Sequence, residues 1–162
     1  MQIRRAGEKD LAGVGCLLDQ VLSVHAEGRP DLFRAGTRKY TDDELVAIFA
    51  DDARPVFVAV GEPGEGPAGD GVLGHAFCVV EDHRGSNNLQ PVVTLYVDDI
   101  CVDAGCRGRG VATALYQHVV GFARELGCHN VTLNVWACNP GARAFYDAMG
   151  LVPQKTCLEQ VL

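Results

Sequence analysis

The chain has no apolar run approaching the roughly 18 residues that a membrane-spanning helix requires. Its opening stretch, "MQIRRAGEKD", lacks the apolar core of a secretory signal. Positive charge is scarce: 14 Lys and Arg stand against 21 Asp and Glu, a net charge of −7. Such a balance binds polyphosphate poorly, so neither nucleic acid nor membrane is an expected partner. No CxxC pair occurs. The seven cysteines (Cys16, Cys78, Cys101, Cys106, Cys128, Cys138 and Cys157) are odd in number and irregularly spaced. That argues against a disulfide framework or a zinc site. Most lie in apolar runs, where a free cysteine behaves as a small hydrophobe, so a reducing cytoplasm is the expected compartment. His25, His75, His83, His118 and His129 show no ligand spacing, and no metal is expected. Repeats, linkers and low-complexity segments are absent as well, and residues 1–162 read as one domain.

What is present is a pattern of short strands and amphipathic helices. Residues 1–5 suggest a first strand. Leu11, Val14, Leu17, Leu18 and Val21 then recur at helical spacing, ended by Gly28 and Pro30. After the polar and aromatic loop "RPDLFRAGTRKY", Thr41 and Glu44 form a capping-box pattern that opens a second helix. Residues 56–60 and 73–80, separated by "GEPGEGPAGDG", read as a hairpin with a long tip. Residues 92–102 form a long strand, followed by a helix from Val111 to Leu126 that Gly127 stops. "NVTLNVW" alternates as a strand. Asn139 and Pro140 suit the N-cap and first position of a last helix, and a final strand is expected from Leu151. The order is β-α-α-β-β-β-α-β-α-β. It implies an α/β (α+β) domain with a mixed, mostly antiparallel sheet, helices on both faces and one helical crossover.

The stretch "DDICVDAGCRGRGVATAL", Asp98 to Leu115, carries the chemistry. Arg107-Gly108-Arg109-Gly110-Val111-Ala112 follows a strand and opens a helix. Its two glycines let backbone amides crowd around one anion, and the helix N-terminus adds unpaired donors. Arg107 and Arg109 add charge at the rim. The loop suits a phosphate or pyrophosphate; the alternative is a plain Gly-rich turn with solvated arginines. A P-loop is excluded because no lysine stands in place. A dinucleotide fingerprint is excluded because Thr113 replaces the third glycine and the next strand ends without the ribose-binding acid. Before the loop, the apolar phase shifts from Val93, Leu95 and Val97 to Ile100 and Val102. That shift predicts either a β-bulge near Asp98 and Asp99 or a strand buried on both faces.

Arg107-x-x-Gly110-x-Ala112 resembles the [RQ]-x-x-G-x-[GA] signature of the GCN5-related N-acetyltransferases. Asn139-x-x-Ala142-x-x-x-Tyr146 resembles that family's second motif, and the element order matches along the chain. The motifs span residues 92–151; the N-terminal half matches in element order only. The resemblance implies acetyl-CoA as co-substrate, with its pyrophosphate on Arg107, Gly108, Arg109, Gly110, Val111 and Ala112. It also implies a bulged strand whose backbone at Ile100, Cys101 and Val102 holds the pantetheine arm, with Asn139 reaching the pantetheine amides. Tyr146 falls on the position that donates a proton to the leaving sulfur, although helical spacing alone would read it as packing beside Ala142 and Met149. Asp98 or Asp99 is the implied base for the incoming ammonium. Cys101, with no base placed beside it, is not expected to form an acyl-enzyme. The first helices and their loop line the acceptor side, which makes His25, Arg29, Asp31 and Tyr40 candidate substrate contacts. The expected activity is transfer of an acetyl group to a primary amine of a small molecule or peptide, by direct attack in a ternary complex. A non-catalytic acyl-CoA sensor on the same fold is the alternative. Family members are often dimers, so a homodimer is among the expected states.

Overall fold

A computed structural model describes residues 1–162. The strands are β1 (Gln2–Arg5), β2 (Val56–Val60), β3 (Val72–Asp82), β4 (Val93–Val102) and β5 (Asn130–Leu133). The helices are α1 (Leu11–Gly28), α2 (Asp42–Phe49), α3 (Val111–Glu125) and α4 (Pro140–Ala148), with short 3₁₀ turns at Glu8–Asp10 and Ala104–Cys106. One sheet runs β1-β2-β3-β4-β5, antiparallel except for the parallel β4–β5 pair. The parallel pair follows from the connection: a strand followed by a helix across one face must return in the same direction. No helix is long and apolar enough to cross a membrane.

Local chemistry explains the helix ends. The Thr41 hydroxyl accepts the Glu44 amide at 3.2 Å, and the Glu44 carboxylate accepts the Thr41 amide at 2.7 Å, closing the capping box that opens α2. Asn139 Oδ1 accepts the Ala142 amide at 3.0 Å, and Pro140 takes the first position of α4. Gly127 leaves α3 in the left-handed region, at φ 70°.

Two cores flank the sheet. Val14, Leu17 and Leu18 of α1 and Leu45 and Ile48 of α2 pack on one face, against Val58 and Phe77. Val111, Leu115, Val119 and Ala123 of α3 pack on the other, against Phe57, Leu95 and Val97. Fully burying a side chain such as Leu115 contributes about 1.5–3 kcal/mol. β4 serves both cores because it carries a bulge. Cys78 pairs with Val97 and Phe77 with Asp99, so Asp98 is the extra residue. Leu95 and Val97 before it, and Ile100 and Val102 after it, therefore all face α3. Cys101 faces α1. The phase shift in the sequence is the bulge.

The expected final strand does not form: residues 151–162 have no regular structure. β5 stops at Leu133 instead of running through Trp136, so the sheet edge it offers is only four residues long. Pro153 has no amide hydrogen to add to a ladder. The apolar side chains of the segment stand in solvent, Leu158 at 89 % exposure. A hydrogen bond from the Leu151 amide to the Tyr146 carbonyl (3.1 Å) and an ion pair of Glu159 with Arg29 (2.8 Å) hold it to the domain.

Gly74 lies opposite Val102, where β3 supports the end of β4. A Cβ there would stand 2.8 Å from the Cys101 carbonyl oxygen and 3.1 Å from Leu115 Cδ1. Gly74→Ala is expected to lose about 1–3 kcal/mol of stability through overpacking. Chemical denaturation checks this, and an unchanged midpoint would show that the strands part there at no cost.

Candidate active site

The glycine loop folds as a cradle of unpaired donors. Gly108 and Gly110 take φ values of 75° and 79°, which L side chains rarely adopt, and Gly110 is the N-cap of α3. No backbone amide from Arg107 to Thr113 donates to an acceptor in the protein. Consecutive free amides thus stand at the N-terminus of α3, where the helix dipole also favours an anion. Val111 has a buried side chain and contributes through its backbone; Ala112 is half-buried. Arg107 is exposed and makes no side-chain hydrogen bond, whereas Arg109 is paired with Glu65 of the β2–β3 loop at 2.9 Å. The two arginines are therefore not equivalent: one charge is free, the other partly neutralised. The turn before the cradle is fastened to α1. Gln20 donates to Asp103 Oδ1 at 2.8 Å and accepts the Ala104 amide at 3.1 Å.

From the bulge to the cradle, β4 runs on past the end of β5, leaving a gap beside it. Their pairing covers only Thr94–Val97 against Asn130–Leu133. Beyond the bulge, the edge of β4 that faces β5 has no strand partner along Asp98, Asp99, Ile100, Cys101 and Val102. Tyr96 accepts a hydrogen bond from Asn134 Nδ2 at 3.0 Å where the strands part. Asn139 stands at the start of α4, after β5 has left the sheet.

The two acids at the bulge have different surroundings. Asp98 is exposed and bound to Lys39 Nζ at 2.9 Å. The Asp99 side chain is only 9 % exposed, and its Oδ2 lies 3.1 Å from His75 Nε2, whose ring is fully buried. Burial pushes the Asp99 carboxyl up. The hydrogen bond from His75, with the charge of Lys39, outweighs it and holds the group below its ordinary 3.8. Tyr146 lies close enough to feel Asp99. Burial first, then the negative charge of Asp99 and the nearby Tyr116, push its phenol well above 10. Its ring packs edge-on against Tyr116 and Phe145, with centroids at 6.1 and 5.1 Å. Cys101 donates its thiol to the Leu17 carbonyl at 3.4 Å. Burial and then Asp99 push that thiol up to about 12, so no thiolate nucleophile is available there.

The four candidate acceptor contacts divide. His25 sits in an aromatic group, 5.0 Å from Phe33 and 6.3 Å from Trp136 between ring centroids. Tyr40 stacks on Phe77, the cross-strand partner of Asp99, with Lys39 over its other side. Arg29 and Asp31 are bound to each other through two hydrogen bonds of 2.9 and 2.7 Å, and Arg29 also binds Glu159. Their charges are spent on holding the end of α1 to the C-terminal segment. Sequence reasoning missed His75, Lys39, Phe33 and Trp136. A register with the bulge in place would have set His75 beside Asp99. Nothing local joins Phe33 to Trp136.

Comparison with known proteins identifies the family and the fold. Residues 21–151 match the family model described as "Acetyltransferase (GNAT) family". A probable glucosamine 6-phosphate N-acetyltransferase 2 of Oryza sativa subsp. japonica is 40 % identical over 57 residues, 35 % of this chain and 32 % of the relative. The N-alpha-acetyltransferase MAK3 of Arabidopsis thaliana is 31 % identical over 83 residues, 51 % of this chain and 40 % of the relative. The match thus spans less than half the length of these curated relatives. A tetramutant of the BH1408 protein from Bacillus halodurans superposes with a TM-score of 0.91 at 25 % identity, covering 100 % of this chain and 100 % of that one. An aminoglycoside acetyltransferase, meta-AAC0020 from an uncultured soil metagenomic sample, shares the fold at a TM-score of 0.71 and 18 % identity, covering 99 % of this chain and 95 % of that one.

The low-lying carboxyl of Asp99 makes stability depend on acid. A depressed folded-state pKa contributes stability that is complete above the unfolded value and lost as pH falls through the folded one. Asp99→Asn is therefore expected to be less stable than the parent at neutral pH, with the gap closing on acidification below about pH 4. Urea midpoints measured from pH 7 downward check this; a constant gap would contradict it.

Proposed function

The chain belongs to the GNAT acetyltransferase family, and from that premise we propose that it is an acetyl-CoA-dependent N-acetyltransferase acting on a primary amine of a small molecule or peptide. One observation supports this reading: the bulge turns Asp99, a carboxylate held in its ionised form, onto the α1 face where β4 loses its β5 partner, and burial together with that charge raises the Tyr146 phenol. An acid pair or a glycine loop alone would be consistent with many activities. A base, a proton donor and an anion cradle joined by one strand edge correspond to the three needs of acyl transfer to an amine.

The residues present fit coenzyme A. The free amides from Arg107 to Thr113, with the unpaired Arg107, suit a pyrophosphate. The open edge of β4 at Ile100, Cys101 and Val102 offers backbone donors and acceptors to the pantetheine amides, with Asn139 across the gap. Acetyl-CoA supplies the activated acetyl group. Asp99 takes the proton that leaves the attacking amine, a β4 amide polarises the thioester carbonyl, and Tyr146 gives its proton to the departing sulfur. The upward displacement of the Tyr146 phenol keeps that proton in place through neutral pH. Asp98, paired with Lys39, is left to shape the mouth. His25, Phe33 and Trp136 form an aromatic wall that suits the apolar body of an amine acceptor.

Thiol release from acetyl-CoA against a panel of amines tests the assignment. Tyr146→Phe is expected to lower kcat about 100-fold or more while leaving coenzyme A binding within a factor of a few. Gly110→Ala, which forces a side chain into φ 79°, is expected to weaken coenzyme A binding instead. Tight coenzyme A binding with no turnover on any amine would replace the transferase by a sensor on the same fold.

A further inference from the structure

His75 Nδ1 is the one buried side-chain polar atom that finds no hydrogen-bond partner. Leaving such an atom unpaired costs about 1–3 kcal/mol, and an apolar side chain would fill the site without that cost. The other end of the ring shows what the histidine does there. Nε2 meets Asp99 Oδ2 at 3.1 Å. Asp99 Oδ1 makes no hydrogen bond in the protein, and unlike His75 Nδ1 it is not sealed from solvent. One carboxylate oxygen is thus held by His75 and the other is left without a partner in the protein.

The ring is fixed by its neighbours rather than by a second polar contact. Phe77 packs edge-on against it, with centroids 5.0 Å apart at 87°. Tyr40 stacks on Phe77 in turn, at 6.0 Å. Cys101 is the cross-strand partner of His75, and Phe77 that of Asp99, so both groups lie on the face that β3 and β4 turn toward α1. With the proton on Nδ1, bare Nε2 would face a carboxylate oxygen at 3.1 Å, acceptor against acceptor. With the proton on Nε2, that contact is a hydrogen bond and only a bare acceptor is left buried.

We infer that His75 is a positioning residue of the acetyl transfer: its Nε2–H holds Asp99 Oδ2 so that Oδ1 points at the acceptor amine and takes its proton. The inference rests on the transferase reading and deepens it. The charged and titratable groups around Asp99 are His75 on β3, Cys101 on β4, Lys39 before α2, His25 on α1 and Tyr146 on α4. Of these only His75 hydrogen-bonds the carboxylate. Removing its N–H therefore withdraws support from the ionised form of Asp99 and moves the acid limb of the rate profile up.

Two measurements on the full chain test this. Imidazole ¹⁵N spectra of the unaltered protein are expected to place a proton on His75 Nε2; a ring protonated on Nδ1 alone overturns the inference and needs no variant. Rates of thiol release over a range of about pH 3–9 are then compared for the parent, His75→Leu and His75→Gln. His75→Leu is expected to lower kcat about 100-fold, as a misplaced catalytic group does. Its acid limb is expected to rise by about one pH unit. The KM for acetyl-CoA stays within about twofold, because the cradle lies elsewhere. His75→Gln, which can return an N–H, is expected to recover most of the loss; this variant also decides the matter if His75→Leu does not fold. A His75→Leu enzyme with the parent's kcat and acid limb, or a folded His75→Gln enzyme about 100-fold below the parent, overturns the positioning role and leaves the transferase reading intact. A parent protein that binds coenzyme A but turns over no amine overturns that reading, and the role of His75 with it.

Discussion

The architecture of the site depends on one extra residue in β4. Without Asp98 as a bulge, the strand would alternate without interruption, and Ile100 and Val102 would point away from the core that Leu95 and Val97 occupy. The inserted residue keeps all four on the α3 face. It also turns Asp99 toward α1, where His75 meets it, and leaves Asp98 at the surface with Lys39. At the same point the pairing of β4 with β5 ends. Packing, acid placement and the opening of the gap are three results of a single irregularity.

The cradle at the end of β4 is a second irregularity, supported from both sides. Gly108 and Gly110 supply the left-handed backbone that frees the amides. Gln20 fastens the preceding turn to α1, and Glu65 fastens Arg109 to the β2–β3 loop. These contacts come from distant parts of the chain. They hold a loop whose backbone donors have no partner in the protein.

The long, strongly periodic elements could be read from the residues. The α3 pattern of Val111, Leu115 and Val119, the Thr41–Glu44 capping box and the Asn139–Pro140 helix start are local signals, and each stands where the pattern put it. The phase shift around Asp98 announced the bulge because burial on one face leaves a record in the apolar alternation. What depended on a partner could not be read in this way. The alternation of "NVTLNVW" suggested a longer β5, but a strand lasts only as long as its neighbour stays alongside, and β4 has bent away by Val97. The C-terminal residues had strand-like composition but met a sheet edge only four residues long. His75 looked like one of five scattered histidines until the register set it opposite Cys101, next to the carboxylate of Asp99. Arg29 and Asp31 looked free because their companion, Glu159, lies 130 residues away from Arg29 in sequence.

The unpaired edge of β4 has a colloidal side. A row of free backbone donors and acceptors is a template on which a strand from another molecule can add, and proteins that carry one must discourage that. Here the open row begins at the bulge, which bends it, and is flanked by an ion pair, Asp98 with Lys39. The open row is only five residues long, Asp98 to Val102, which gives an intruding strand little to pair with. The kink that ends the pairing of β4 thereby also limits edge-to-edge association.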